Sequence, residues 1–141
     1  MRIIIFEQDY SDINTIHNSI ERLAKFKEYT IYQVLTTRKV QSILDYLESY
    51  VADSYFISIR PDQPETLDLA KHVRQENPST QIVLIIEEQT AEIQALATQI
   101  DASHIIEKNT KATLQRYVEE AFETNYQQYM IDSAILKKSI S

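Results

Sequence analysis

Residues 55–61 have the sequence YFISIRP, and this run decides the fold class. Five apolar or small residues in succession, with Asp53 and Ser54 before them and Pro61 after them, are typical of a central strand buried on both faces. In open α/β sheets the functional residues lie just beyond the carboxyl ends of such strands. Ser58 therefore occupies the place of a reactive residue, although a serine hydroxyl is a weak nucleophile without an activating base.

Similar apolar runs recur along the chain and alternate with segments of helical period. The predicted strands are Ile3–Phe6, Thr30–Leu35, Tyr55–Ile59, Ile82–Ile86 and His104–Ile106. The predicted helices start at or after Ser11, Thr37, Pro64, Ala91 and Thr110, and the third ends at Asn77-Pro78. This alternation predicts a doubly wound (βα)5 fold, in which a five-stranded parallel sheet has helices on both faces and makes a three-layer sandwich.

The chain is expected to form one domain over residues 1–125, because no linker or repeat divides it. The last helix carries Leu114, Val118 and Phe122 on one face, and no Pro or Gly follows before Ser141. Residues 126–141 are therefore predicted to continue that helix or to connect to an output domain that is not among these residues.

Composition excludes several classes of function. The chain has 141 residues with a formal net charge of -7, which argues against binding of a nucleic-acid backbone by this segment. With no cysteine there are no disulfides and no thiolate sites, and with no glycine there is neither a P-loop nor a G-x-G-x-x-G turn. Asn and Asp must then occupy any left-handed turn positions. No membrane span or signal-peptide core is present, so a cytoplasmic location is expected.

The ends of the predicted strands meet at one edge of the sheet. The residues there are Glu7, Gln8 and Asp9, then Ser58, then Ile86 and Glu87, and finally Glu107 and Lys108. The three histidines, His17, His72 and His104, have no spacing that fits a metal site.

At these residues the sequence resembles a known family, the CheY-like receiver domains of response regulators. More narrowly, it is similar to the receivers of quorum-sensing and competence regulators that carry a LytTR DNA-binding domain. The resemblance covers about residues 1–125. It depends on IIIFEQD at residues 3–9, YFISI at 55–59, Ala-x-x-Val-Arg-x-x-Asn-Pro at 70–78 and IIEK at 105–108.

The resemblance implies a flavodoxin-like fold and a site that accepts a phosphoryl group. Such receivers are phosphorylated on a strand-three aspartate, hold Mg²⁺ on that aspartate and two acids after strand one, and place a hydroxyl residue and a lysine around the phosphoryl oxygens. Here Glu7 keeps one acid, Gln8 replaces the second, and Ser58 stands in place of the aspartate. Ile86 replaces the hydroxyl residue, and Lys108 corresponds to the lysine.

The lysine match needs a shift of one residue, because Glu107 stands at the unshifted position. We expect Lys108 to pair with Glu7 or Asp9. No Mg²⁺ or other cofactor is expected, because two carboxylates that would hold the metal are missing. The alternative to an empty site is a residual cation site formed by Glu7 and Asp9.

The expected function is that of a degenerate receiver, which is no enzyme and acts in signal transduction and transcription regulation by contacts instead of aspartyl phosphorylation. Its expected partners are a second copy, through helix four, strand five and helix five (Ala91–Ile100, Ser103–Glu107 and the exposed side of Thr113–Tyr126), and a sensor kinase or regulator protein. DNA would be reached only through a separate output domain. Tyr126, Tyr129 and Met130 form a second candidate partner face.

Three other hypotheses stay open at this point. The chain is an active Mg²⁺-dependent receiver that uses a non-standard acid such as Asp62 or Asp9, or a stand-alone adaptor, or a sensor that binds a small molecule in the relict pocket.

Overall fold

A computed structural model of the chain describes residues 1–140, with side chains for residues 1–139. Strands and helices alternate strictly along it. The strands are β1 (Arg2–Phe6), β2 (Gln33–Thr37), β3 (Ser54–Ile59), β4 (Gln81–Ile86) and β5 (His104–Glu107). The helices are α1 (Tyr10–Lys27), α2 (Val40–Leu47), α3 (Pro64–Glu76), α4 (Ala91–Gln99) and α5 (Lys111–Ile140).

The five strands form one parallel sheet in the order β2-β1-β3-β4-β5. β3 lies at its centre, and all six of its residues are buried. The order reverses direction after β2, so β1 and β3 are neighbours and their carboxyl ends flank a crevice. The predicted (βα)5 fold is confirmed.

Two apolar clusters fill the space on the two faces of the sheet. Ile4, Tyr55 and Leu84 belong to the cluster that packs against α2, α3 and α4. Ile5, Phe56 and Val83 belong to the cluster that packs against α1 and α5. Successive strand residues therefore point to opposite faces, as the pleat requires.

Three predicted boundaries are wrong by a few residues. α1 begins before Ser11, and its N-cap is Asp9, whose carboxylate accepts from the Asp12 N–H at 2.9 Å. β2 starts three residues later than predicted and ends at Thr37. Thr37 consequently does not cap α2; that position belongs to Lys39, which has no side-chain capping bond.

Within residues 1–140, two residues adopt left-handed backbone conformations although neither is a glycine: Glu28 (φ 58°) and Asp101 (φ 52°). Asp101 follows the expectation that Asp and Asn would take such positions in a chain without glycine. Glu28 is an exception to that expectation. It is the C-cap of α1, and its N–H donates to the carbonyls of Ala24 and Lys25. A glycine at this C-cap position would avoid the clash of Cβ with the backbone.

α5 continues well past the body of the domain, over 30 residues. Tyr126 is buried and stacks on Tyr29 with ring centroids 4.0 Å apart. Beyond it, Met130, Ile131 and Ile135 are about half exposed or more. α5 is continuous to residue 140, and Ser141, the last residue of the predicted extension, lies outside the described residues.

Candidate functional site

A buried carboxylate lies at the carboxyl edge of the sheet. Glu7 follows β1 directly, and because Phe6 pairs with Ile57 in the parallel register, Glu7 comes to lie beside Ser58 of β3. Lys108 follows β5, with its N–H bonded to the Ile86 carbonyl at 2.8 Å. The pleat turns all three side chains toward the face covered by α1 and α5.

The Glu7 side chain is fully buried, and its oxygens accept three hydrogen bonds. The Ser58 hydroxyl and the Lys108 ammonium both donate to Oε2, the latter at 2.9 Å. The backbone N–H of Asp9 donates to Oε1 at 3.1 Å. A buried charge is tolerated when it is paired and hydrogen-bonded in this way.

Lys108 is shared among several carboxylates. Its Nζ lies 3.0 Å from Asp12 Oδ2 and 3.5 Å from Glu87 Oε1, and its side chain is 11% exposed. Burial alone would lower the pKa of Lys108, but the hydrogen bonds and charges of Glu7 and Asp12 raise that pKa above its ordinary value. Lys108 is therefore a firmly protonated cation and cannot serve as a general base.

Asp12, on the first turn of α1, completes the cluster from the other side. It also accepts from Lys111 Nζ at 2.8 Å. Burial pushes the pKa of Asp12 upward, but the hydrogen bonds from Lys111 and Lys108 outweigh it and lower that pKa below its ordinary value. Asp12 was not among the predicted site residues; the sequence signal for it is its position four residues before the buried Ile16, on the same side of the helix.

The expected pairing of Lys108 with Glu7 is found, whereas that with Asp9 is not. Asp9 instead caps α1 and is exposed. Gln8 donates to Gln63 Oε1 at 2.7 Å and takes no part in the Glu7 cluster.

β4 and β5 place the other predicted residues outside the cluster. Ile86 lies in the core on the opposite face, with α2, α3 and α4. The β4 residue paired with Ser58 is its neighbour Ile85. Glu107 is exposed.

The residues present do not fit a magnesium ion. Oε2 of Glu7 already has the Lys108 ammonium 2.9 Å away, which takes the place of a cation. The amide of Gln8 points to Gln63 and the Asp9 carboxylate to its helix. In the part of the chain that the structure describes, no group of three or more His, Cys, Asp or Glu side chains is placed to hold a metal.

Comparisons with known proteins give structural matches only. No protein-family model matches the chain, and none of the curated proteins matches its sequence.

Among solved structures, a receiver domain from Rhodospirillum rubrum has a TM-score of 0.69 and 17% identity, covering 86% of this chain and 91% of that one. A CheY-like receiver domain protein from Methanospirillum hungatei JF-1 has a TM-score of 0.63 and 18% identity, covering 90% and 97%. A structure named adenylate cyclase, from Rhodopirellula baltica, has a TM-score of 0.64 and 16% identity, covering 97% of each chain.

The chain therefore has the fold of CheY-like response regulator receiver domains. At such low identity the likeness shows the fold alone, and the cyclase name among the matches illustrates why an activity does not follow from it. No helix within residues 1–140 is both long and apolar enough to cross a membrane.

Proposed function

We propose that this chain is a degenerate receiver that works in signal transduction without aspartyl phosphorylation and is not an enzyme. The observation that carries the proposal is the closed Glu7–Ser58–Lys108 cluster. In the resemblance to receivers, Ser58 takes the place of the phosphoacceptor, and here its hydroxyl is buried and donates to Glu7.

A serine bonded to a carboxylate can in principle be activated as a nucleophile, so the strength of that base matters. Glu7 Oε2 accepts from the Lys108 ammonium as well as from Ser58. Transfer of the Ser58 proton to Glu7 would remove the charge that pairs with the buried Lys108 ammonium, which opposes such an activation. That ammonium is also bound to Asp12, so an incoming phosphoryl group would have to compete with two carboxylates for it.

The partners of the polar residues after β1 support the same proposal. Phosphoryl transfer depends on electrostatic stabilisation of the transferred group, which Mg²⁺ ordinarily supplies. Glu7, Gln8 and Asp9 all have other partners in this structure. The non-standard acids do not replace them, since Asp9 caps α1 and Asp62 lies on an exposed turn.

A module without phosphorylation transmits its signal through contacts. By the resemblance, we propose a regulator of the LytTR type in the cytoplasm that dimerises through α4, β5 and the exposed side of α5, and that meets a sensor kinase or another regulator protein. Tyr117 lies on that side of α5 and is 36% exposed. Contact with DNA would belong to a separate output domain, because this chain is acidic. A stand-alone adaptor would use the same contacts.

The phosphorylation proposal is tested by incubating the chain with acetyl phosphate and Mg²⁺ and measuring its intact mass. We expect no adduct with the mass of a phosphoryl group. A hydroxylamine-labile adduct would show an acyl phosphate on an acid such as Asp9 or Asp62. A hydroxylamine-stable adduct that Ser58→Ala abolishes would show phosphoserine. Either adduct would refute the proposal.

The dimer proposal is tested by light scattering at high micromolar concentration. We expect a dimer that Tyr117→Glu converts to a monomer, while Tyr50→Glu, an equally large change on an exposed tyrosine after α2, leaves it intact. A strict monomer, or equal effects of both substitutions, would contradict the assigned face.

A further inference from the structure

β2 forms an open edge of the sheet, and its side chains are incompletely covered on both faces. Among the described residues, β1 is the only strand that pairs with it. Val34 and Leu35, its apolar residues, are only half-buried, although they lie on opposite faces of the sheet. A strand edge of this kind offers unpaired backbone groups that can pair with another chain.

The pairing with β1 fixes which backbone groups face outward. The Gln33 N–H donates to the Met1 carbonyl, and the Thr37 carbonyl accepts from Glu7 N–H. Because backbone groups alternate along a strand, the N–H and C=O of Val34 and Thr36 then point away from β1. β2 therefore presents two donors and two acceptors at the open edge.

A groove of about 640 Å³ runs along this edge on the α1 face. Its lining combines the apolar residues Ala24, Ile31 and Val34 with polar, charged and aromatic ones, among them Arg22, Lys25, Tyr29 and Tyr32. Neither Arg22 nor Lys25 forms an ion pair with residues 1–139. The acid of the groove, Glu21, is bonded to His17 Nε2 at 3.1 Å.

The charge around this edge is opposite to that of the whole chain. Residues 22–39 contain five Lys and Arg but one acid, Glu28, whereas the full sequence has 14 basic and 21 acidic residues. Tyr32, next to β2, is 72% exposed and has the Arg2 guanidinium 4.8 Å from its ring centroid. The edge therefore favours an acidic partner.

The α2 face of the same edge has a different character. A cleft of about 200 Å³ lies there, lined mainly by apolar groups of Leu35, Ile43 and Tyr46. Successive residues of an added strand point alternately to the two faces. One set of its side chains would enter the basic groove, and the other set would enter the apolar cleft.

We propose that the open edge of β2 binds an extended peptide segment of a partner protein in which acidic and apolar residues alternate. The segment adds as a strand, with backbone bonds to Val34 and Thr36. Its acids meet Arg22 and Lys25, and its apolar residues meet Leu35, Ile43 and Tyr46. The proposal is independent of the carboxyl-edge cluster, and phosphorylation of the chain would leave it unchanged.

The test is the fluorescence anisotropy of a labelled synthetic peptide that alternates Glu with Val, titrated with the full chain. We expect binding that weakens as salt is added. A matched peptide with Lys in place of Glu should bind at least about tenfold more weakly. Failure of the Glu peptide to bind, or equal binding of the Lys peptide, overturns the proposal.

Two variants separate charge from strand addition. Arg22→Glu/Lys25→Glu should weaken binding about tenfold, whereas Lys71→Glu, an exposed reversal on α3, should leave it within about twofold. Thr36→Pro removes an outward N–H that the sheet does not use, so about tenfold weaker binding is expected with an unchanged melting temperature. If Thr36→Pro unfolds the chain, the charge variant decides alone. Unchanged binding by the charge variant, or by a folded Thr36→Pro, overturns the proposal.

The groove could also attract nucleic acid, because its cations and tyrosines suit phosphates and bases. A single-stranded oligonucleotide with the same charge as the peptide is therefore used as a competitor. We expect it to displace the peptide at least about tenfold less effectively than unlabelled peptide does. Displacement by the oligonucleotide at lower concentration than by the peptide would overturn the assignment to a protein partner.

Discussion

Replacing Lys108 by methionine removes the charge that balances the fully buried Glu7 carboxylate. Methionine retains the apolar bulk of the lysine side chain. The main defect of the variant is therefore an unpaired buried charge and not a cavity. Breaking a buried pair in this way costs about 3 to 5 kcal/mol in the free energy of unfolding. At an m-value of about 2 kcal/mol/M, the urea midpoint should fall by about 2 M.

Lys111→Met is the matched control. Lys111 also pairs with Asp12, but its side chain is 53% exposed, so its removal should cost less than about 1 kcal/mol. Adding Glu7→Gln to Lys108→Met removes the stranded charge while keeping an acceptor for Ser58. The double variant should therefore be more stable than Lys108→Met alone.

The sign of the pH dependence supplies an independent check. In Lys108→Met the fully buried Glu7 carboxylate has no cation beside it, and acid would relieve this unpaired charge. The deficit in unfolding free energy should therefore be smaller at about pH 5 than at about pH 8. A loss no larger than that of Lys111→Met, or a deficit without pH dependence, would refute the idea that this ion pair holds the site together.

Three further changes can be measured by urea unfolding. Glu28→Gly should stabilise the chain by about 0.5 kcal/mol by removing the left-handed strain, whereas Lys25→Gly inside α1 should destabilise it by about 1 kcal/mol; equal effects would contradict the C-cap assignment. Burial lowers the pKa of His104 below 6.5, although Glu120 opposes the shift, so the unfolded state takes up the proton first and stability should fall as pH drops below that value. His104→Gln should make stability less dependent on pH in this range. An unchanged dependence would show that another group causes it. Arg74 donates to the carbonyls of residues 78, 80 and 100 at 2.7–2.8 Å, so Arg74→Met should cost about 2 kcal/mol or more; a loss below about 0.5 kcal/mol would show that these bonds are dispensable.

The strands were predictable because the buried ones are continuous apolar runs. Ile82–Ile86 lacks only the first residue of β4, and Tyr55–Ile59 lacks only the first of β3. The predicted bounds of β2 were wrong because this edge strand is half-exposed and its Thr-rich end lacks an apolar pattern. Ser11 was mistaken for a cap because Asp9 offers an equally good capping side chain two residues earlier.

At the site, the pairing of Lys108 with Glu7 followed from topology, since parallel strands bring their carboxyl ends together. The orientation of Ile86 did not follow, because one residue of displacement along a strand moves a side chain to the other face. Whether the Asp12 side chain reaches the site depends on how α1 is rotated about its axis over the sheet. Packing of Ile13, Ile16 and Ile20 sets that rotation. Hydrophobic period alone does not determine which polar neighbour then meets Lys108.

Under the proposed function, the charges at the carboxyl edge favour a signal that enters elsewhere in the domain. Glu7 and Asp12 carry two negative charges, and Lys108 and Lys111 balance them within 3.0 Å. A phosphoryl group added at Ser58 would bring further negative charge to a buried position beside Glu7, and the lysine that could compensate is already bound to two carboxylates. Phosphorylation would thus have to break the ion pairs of Lys108 before that lysine could stabilise the phosphoryl group. The surfaces have no such conflict: at the β2 edge, backbone groups and the cations Arg22 and Lys25 are still unpaired among the described residues, so a partner can bind there without disrupting an existing interaction.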